Sequence, residues 1–161
     1  MQPSFQRIAL SLLAALYVPV TSAVAADTDI SVSNAYVRMV PNGIPTTGAF
    51  MLIKNSGSVD RKLLRVDSPA AKSVELHTHQ NDNGVMKMRP VKEIAIGAKS
   101  ATALKPGSYH IMLIDLKQTL KEDEMVPFTL NFDDGSTKVV DVPVKKPQAM
   151  LQMEHDKTHK H

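Results

Sequence analysis

The sequence has no cysteine and no tryptophan among its 161 residues, and only 4% of it is aromatic. Without cysteine it cannot be stapled by disulfides, although exported proteins often are. It also has no thiol for redox exchange, and it cannot supply the thiolate that a blue-copper centre needs. The scarcity of aromatics leaves Val, Ile, Leu and Met as the main core material. The net charge is only +3, and no basic block is interleaved with aromatics, so the usual footprint of nucleic-acid recognition is missing. No G-x-S-x-G stretch offers a hydrolase nucleophile. No long helical period and no internal repeat is visible. Past the N-terminus, no apolar run approaches membrane-spanning length.

What is present begins with a leader. Residues 1–26 read as a secretory signal peptide. Arg7 supplies its positive charge, and residues 8–20 supply an apolar core interrupted by Ser11 and Pro19. Ala23-Val24-Ala25 offers an A-x-A cleavage site, with Val24-Ala25-Ala26 as the alternative one residue on. The apolar run is short for a membrane anchor. The expectation is a soluble, monomeric, periplasmic protein with no transmembrane segment once the signal is removed. The whole chain is 43% hydrophobic, which suits a single domain with a sizeable core.

Turn signals cut the rest into short strand-like runs. Residues 30–40 end at Pro41-Asn42-Gly43. Residues 48–55 put Phe50, Leu52 and Lys54 on one face and Met51 and Ile53 on the other. Residues 63–66 follow. Residues 73–79 and 85–91 flank Asn81-Asp82-Asn83-Gly84, a hairpin signal. Short runs at 93–96 and 101–104 precede Pro106-Gly107. Residues 111–114 are apolar on both faces, the mark of a central strand. Residues 127–132 and 137–144 flank Asp133-Asp134-Gly135-Ser136, a second hairpin signal. A single helical turn at 69–72 is the only helix candidate. Strands at this spacing predict an all-β, antiparallel sandwich over residues 27–144. Residues 145–161 are polar and proline-interrupted, and a disordered, flexible tail is expected there.

Four side chains carry chemistry: His77, Met88, His110 and Met112. Taken singly, a Met in a strand usually fills core space, and a His is usually a hydrogen-bonded surface residue. Together they form a soft donor set. Imidazole suits several transition metals, whereas thioether selects copper(I) and is a poor ligand for zinc. The spacing is H-x10-M-x21-H-x-M. His110 and Met112, two apart on a strand, point to one face. His77 and Met88 would sit on the two arms of the first hairpin, so both pairs can meet at one rim.

This spacing resembles the signature of the periplasmic copper(I) chaperone family PCuAC. The segments NAYVR, VELH, GVMKMRPV, LKPGSYHIMLIDLK and VPFTLNF resemble that family too, over roughly residues 30–144. The resemblance implies a cupredoxin-like β-sandwich. It also implies delivery of Cu(I) to the copper-bearing subunit of cytochrome c oxidase, with a thiol-bearing Sco-type protein as a further partner. One departure is visible. Many members carry methionine directly after the first histidine, where Thr78 stands here. His79, one position later, is therefore a candidate substitute ligand or a residue that supports the others.

The tail holds Met150, Met153, His155, His159 and His161. Imidazoles there could take Cu(II), while the two methionines favour the reduced ion. A solvated tail whose histidines do nothing is the plain alternative. For the domain, the alternatives to a chaperone are a periplasmic copper scavenger or buffer and a metal-free β-sandwich interaction module. A copper enzyme of the histidine-brace type needs His at the mature N-terminus, and cleavage would leave Ala26 or Asp27. No enzymatic activity is expected.

Overall fold

The computed structural model describes residues 29–147. The leader at 1–26 and the tail donors Met150, Met153, His155, His159 and His161 lie outside the described residues. Among the described residues ten strands form: β1 (Ile30–Arg38), β2 (Thr46–Asn55), β3 (Arg61–Asp67), β4 (Ala71–Asp82), β5 (Val85–Pro90), β6 (Ile94–Ile96), β7 (Ser100–Leu104), β8 (His110–Leu116), β9 (Met125–Phe132) and β10 (Thr137–Lys145). Each run expected from the sequence becomes one of them. Among the described residues no helix is long and apolar enough to cross a membrane.

One layer has the order β5-β4-β8-β2-β1, and the other has the order β10-β9-β3-β6. β2 serves two partners on one side: residues 46–49 pair with β8 and residues 51–55 with β7. As expected, β8 is central, held between β4 and β2. The all-β, largely antiparallel sandwich is as expected, with one local departure. The ladders are antiparallel except for one, because β1 and β10 pair in parallel through Val37–Val144 and Arg38–Lys145. Local alternation gives strand positions but carries no information on partner direction. The one helix candidate, the single turn at 69–72, is not helical. Pro69 and Ala70 make a turn, and Ala71 opens β4 opposite Leu116. One helical turn gains a single hydrogen bond for several fixed residues, and the ladder offers more.

Both layers bury their inner faces in one core. Val37, Ala49, Met51, Ile53, Leu76, Ile111 and Leu113 face Leu63, Val66, Phe128, Leu130, Val142 and Val144, all at most 5% exposed. The faces of β2 are those read from the sequence, with Met51 and Ile53 inward. Phe50, on the outer face, is nevertheless buried. A β-bulge in β1 between Ser33 and Tyr36 explains this. Asn34 takes the left-handed conformation there (φ 52°), which Asn tolerates better than most residues. The extra residue aims Tyr36 and Arg38 outward, over Phe50.

The β4–β5 hairpin closes on Asn83 (φ 52°) and Gly84 (φ 87°). Two consecutive positive φ values define a type I′ turn, whose twist matches that of the flanking strands. The Gly84 amide also donates to Asn81 Oδ1 at 2.7 Å. Residue 84 lacks the Cβ that would strain this conformation.

The shared core sets the first expectation. Leu130 is fully buried in β9, so Leu130→Ala should cost about 2–5 kcal/mol of unfolding free energy. Urea denaturation monitored by circular dichroism measures this.

Candidate metal centre

Pairing register decides which side chains meet. In the β4·β8 ladder His77 is directly opposite His110. In the β4·β5 ladder His79 is opposite Met88, and His77 is opposite Pro90. Met112 lies between Glu75 of β4 and Gly48 of β2. Leu76 and Ile111 alternate with these residues and face the core. His77, Met88, His110, Met112 and His79 therefore share the outer face of one layer. The two arms of the hairpin do carry His77 and Met88, but the residue directly across from Met88 is His79.

The closest contact is between His110 Nε2 and Met88 Sδ, at 3.0 Å. On the other edge of the ring, His110 Nδ1–H donates to the Ser108 carbonyl at 2.9 Å. That bond assigns the tautomer and leaves the lone pair on Nε2. Two lone-pair atoms thus converge with no proton between them, an arrangement that lets both turn toward one cation. The His79 ring centroid lies 5.0 Å from that of His110, and the His77 ring 5.9 Å. His79 Nδ1 reaches the same Ser108 carbonyl at 3.5 Å. His77 Nε2–H donates to Glu75 Oε2 at 2.8 Å, while its Nδ1 is buried with no hydrogen-bond partner.

The site is closed on one side and open on the other. His110 is 3% exposed and Met88 is 46% exposed. Behind His110 stands Phe50, with ring centroids 6.2 Å apart. Tyr36 stacks on Phe50 at 5.1 Å, and the Arg38 guanidinium lies 5.1 Å over the same ring. A Cβ at position 48 would come within 3.2 Å of the Phe50 ring, so Gly48 leaves room for that ring. Burial pushes the His110 imidazole below its ordinary 6.5, and the neighbouring His79, His77 and Arg38 push the same way. The Ser108 hydrogen bond acts in the opposite sense. His110 is thereby held neutral, the form that ligates metals.

Among the described residues no three His, Cys, Asp or Glu side chains form a metal-holding group. The sequence reading missed the roles of Glu75, Ser108 and Phe50. For Glu75 a signal existed, because Glu75-x-His77-x-His79 alternates along one strand and must share a face. Ser108 acts through its backbone, which no sequence pattern displays.

The fold is a cupredoxin-like β-sandwich of the kind seen in PCuAC domains. A structure described as a copper-bound PCuAC domain from PmoF2 superposes with a TM-score of 0.63 at 22% identity, covering 78% of this chain and 97% of that one. The chain belongs to the LpqE-like family, described as "Putative lipoprotein LpqE-like", which matches residues 30–144. It is 40% identical to "Putative lipoprotein Lxx21020" of Leifsonia xyli over 117 residues, which is 72% of this chain and 69% of that protein. DR1885 from Deinococcus radiodurans is similar as well. Its solution structure as CuI-DR1885 shares 35% identity at a TM-score of 0.56, covering 70% of this chain and 76% of that one. Its apo form covers 89% and 96%, at 31% identity and a TM-score of 0.60.

The burial of His110 sets the second expectation. In metal-free protein its ring should titrate below 6.5, as followed by imidazole proton shifts in NMR. The sign follows from linkage. As pH falls, the unfolded chain takes up this proton first, near 6.5, so the His110 contribution to stability is whole above that value. It is lost as pH drops from there through the lower folded value.

Proposed function

We propose that the chain is a periplasmic copper(I) carrier, exported by residues 1–26 and acting without catalysis. Its cargo is held by His77, Met88, His110 and Met112, with His79 as a further donor. The observation that carries this reading is the convergence of His110 Nε2 and Met88 Sδ at 3.0 Å, each with a free lone pair. The shared outer face of the other three donors supports it. Thioethers carry no proton to lose and favour copper(I), while zinc prefers thiolate, imidazole or carboxylate. The similarity to DR1885, solved in a Cu(I) form, supports the same metal and oxidation state. Delivery to the copper-bearing subunit of cytochrome c oxidase, with a Sco-type partner, rests on the PCuAC resemblance of the sequence.

The direct test is an anaerobic copper(I) titration with stoichiometry. One tight equivalent per domain is expected. No tight copper(I) would leave a metal-free interaction module. Transfer from loaded protein to an apo oxidase copper domain separates a chaperone from a buffer, since a buffer shows no preference for that acceptor.

The donor assignment makes a sharper statement. Met88→Ala and Met112→Ala should each weaken copper(I) by at least about tenfold, or ~1.4 kcal/mol, and change zinc affinity much less. Competition with a copper(I) chelator measures the effect, and unchanged affinity in both variants would remove the two thioethers from the site.

The tail enters as a second, weaker site. We assign Cu(II) capture to His155, His159 and His161, with Met150 and Met153 favouring Cu(I) nearer the domain. β10 runs through Lys145, whose carbonyl accepts from the Met39 amide, so truncation after Pro147 spares the sandwich. The shortened protein should retain its copper(I) equivalent and lose one Cu(II) equivalent in electron paramagnetic resonance. An unchanged Cu(II) count and spectrum would reduce the tail to solvated polypeptide.

A further inference from the structure

The two directly opposed imidazoles are anchored by opposite edges. His110 gives Nδ1–H to the Ser108 carbonyl and turns Nε2 toward Met88. His77 does the reverse. Its Nε2 lies 2.8 Å from Glu75 Oε2, two residues back on the same face of β4. An ionised carboxylate can only accept, so the proton of a neutral His77 ring sits on Nε2 and the lone pair on Nδ1. That Nδ1 is buried and without a hydrogen-bond partner, one of two such side-chain atoms among the described residues. The other, Ser136 Oγ, lies in the loop between β9 and β10. A buried lone pair with nothing to bond is costly unless something fills the position. Here the His77 ring lies 5.9 Å, centroid to centroid, from that of His110.

We propose that His77 ligates through Nδ1 and His110 through Nε2, and that Glu75 is the positioning residue that enforces this difference. The proposal rests on the copper(I) reading above and specifies its ligating atoms. Nδ1 is attached next to Cβ, whereas Nε2 is on the far side of the ring. The ion is therefore drawn close to the β4 backbone, and His110 reaches it from β8 with its distal nitrogen. Glu75, whose side chain is 44% exposed, touches no cargo. It keeps the proton on Nε2, fixes the ring plane and raises the donor strength of Nδ1, as carboxylates do behind ligating histidines. Its negative charge also offsets that of the incoming cation.

The test uses the mature chain with 15N-labelled histidine at neutral pH. Two-bond nitrogen–proton correlations are recorded metal-free and with one equivalent of copper(I) under reductant. Metal-free His77 should show the Nε2–H tautomer. On loading, its Nδ1 resonance should shift while Nε2 keeps its proton, and His110 should show the opposite pattern. Glu75→Ala should mix the His77 tautomers and lower copper(I) affinity by about tenfold or more. Glu75→Gln, whose amide oxygen still accepts from Nε2–H, should recover most of both. A copper-induced shift at His77 Nε2 overturns the proposal, as does a Glu75→Ala variant unchanged in tautomer and affinity. Undiminished copper(I) binding by His77→Ala removes His77 from the site. Failure of the wild-type chain to bind copper(I) overturns the functional reading and this assignment with it. Copper bound through His77 Nε2 overturns the atom assignment alone.

Discussion

The pairing register of β4 against its two neighbours is the constraint on which the site depends. Side chains on a strand alternate, so a slip of one residue would turn His77 and His79 toward the core and Leu76 toward water. Two features hold the register. At one end the Asn83-Gly84 turn fixes which residues of β4 and β5 are opposed. At the other, Leu76 and Ile111 pair on the core side and are at most 5% exposed. Exposing one such side chain costs roughly 1.5–3 kcal/mol, and burying an unpaired imidazole in its place adds to that. The site geometry is thus a by-product of core packing on the opposite face of the same strands.

The bulge in β1 plays a comparable part from the other side. Without the extra residue between Ser33 and Tyr36, Tyr36 would point inward and Phe50 would lose its cover. With it, a small second apolar cluster forms on the outer face, capped by the Arg38 guanidinium. That cluster buries His110 and places a fixed positive charge nearby. Both effects disfavour imidazolium, so the ring stays a lone-pair donor.

Much of this was legible in the residues. Turn chemistry at Asn83-Gly84 and Gly135, together with strict alternation in β2, located the strands. The unusual set of two histidines and two methionines in a chain without cysteine pointed to a common face, and the register brings those four side chains to one. Other features were out of reach because they are not local. The parallel contact of β1 with β10 depends on where the chain arrives after the β9–β10 hairpin, which no short pattern records. The closeness of His79 to His110 depends on cross-strand register, and one sequence reads equally well with either histidine facing Met88. Ser108 contributes a backbone carbonyl, to which the identity of its side chain is nearly irrelevant. The turn at Pro69 shows local propensity yielding to a ladder that only the folded molecule supplies.

The donors belong to strands of different rank. His110 opens the central strand, His77 and His79 lie on its neighbour, and Met88 lies on the edge strand, whose residues are all exposed. Local opening is cheapest where few apolar contacts hold the backbone, and β5 is such a place. On the proposed reading, an ion shared by Met88 and His110 works as a clasp between edge and centre. By mass action it adds about 2.7 kcal/mol to the cost of opening once free ion reaches a hundred times its dissociation constant. Amide hydrogens of β5 would then exchange more slowly in loaded protein, while those of the core strands would change little. Unloading in turn requires only the hairpin to fray, with the sandwich left intact.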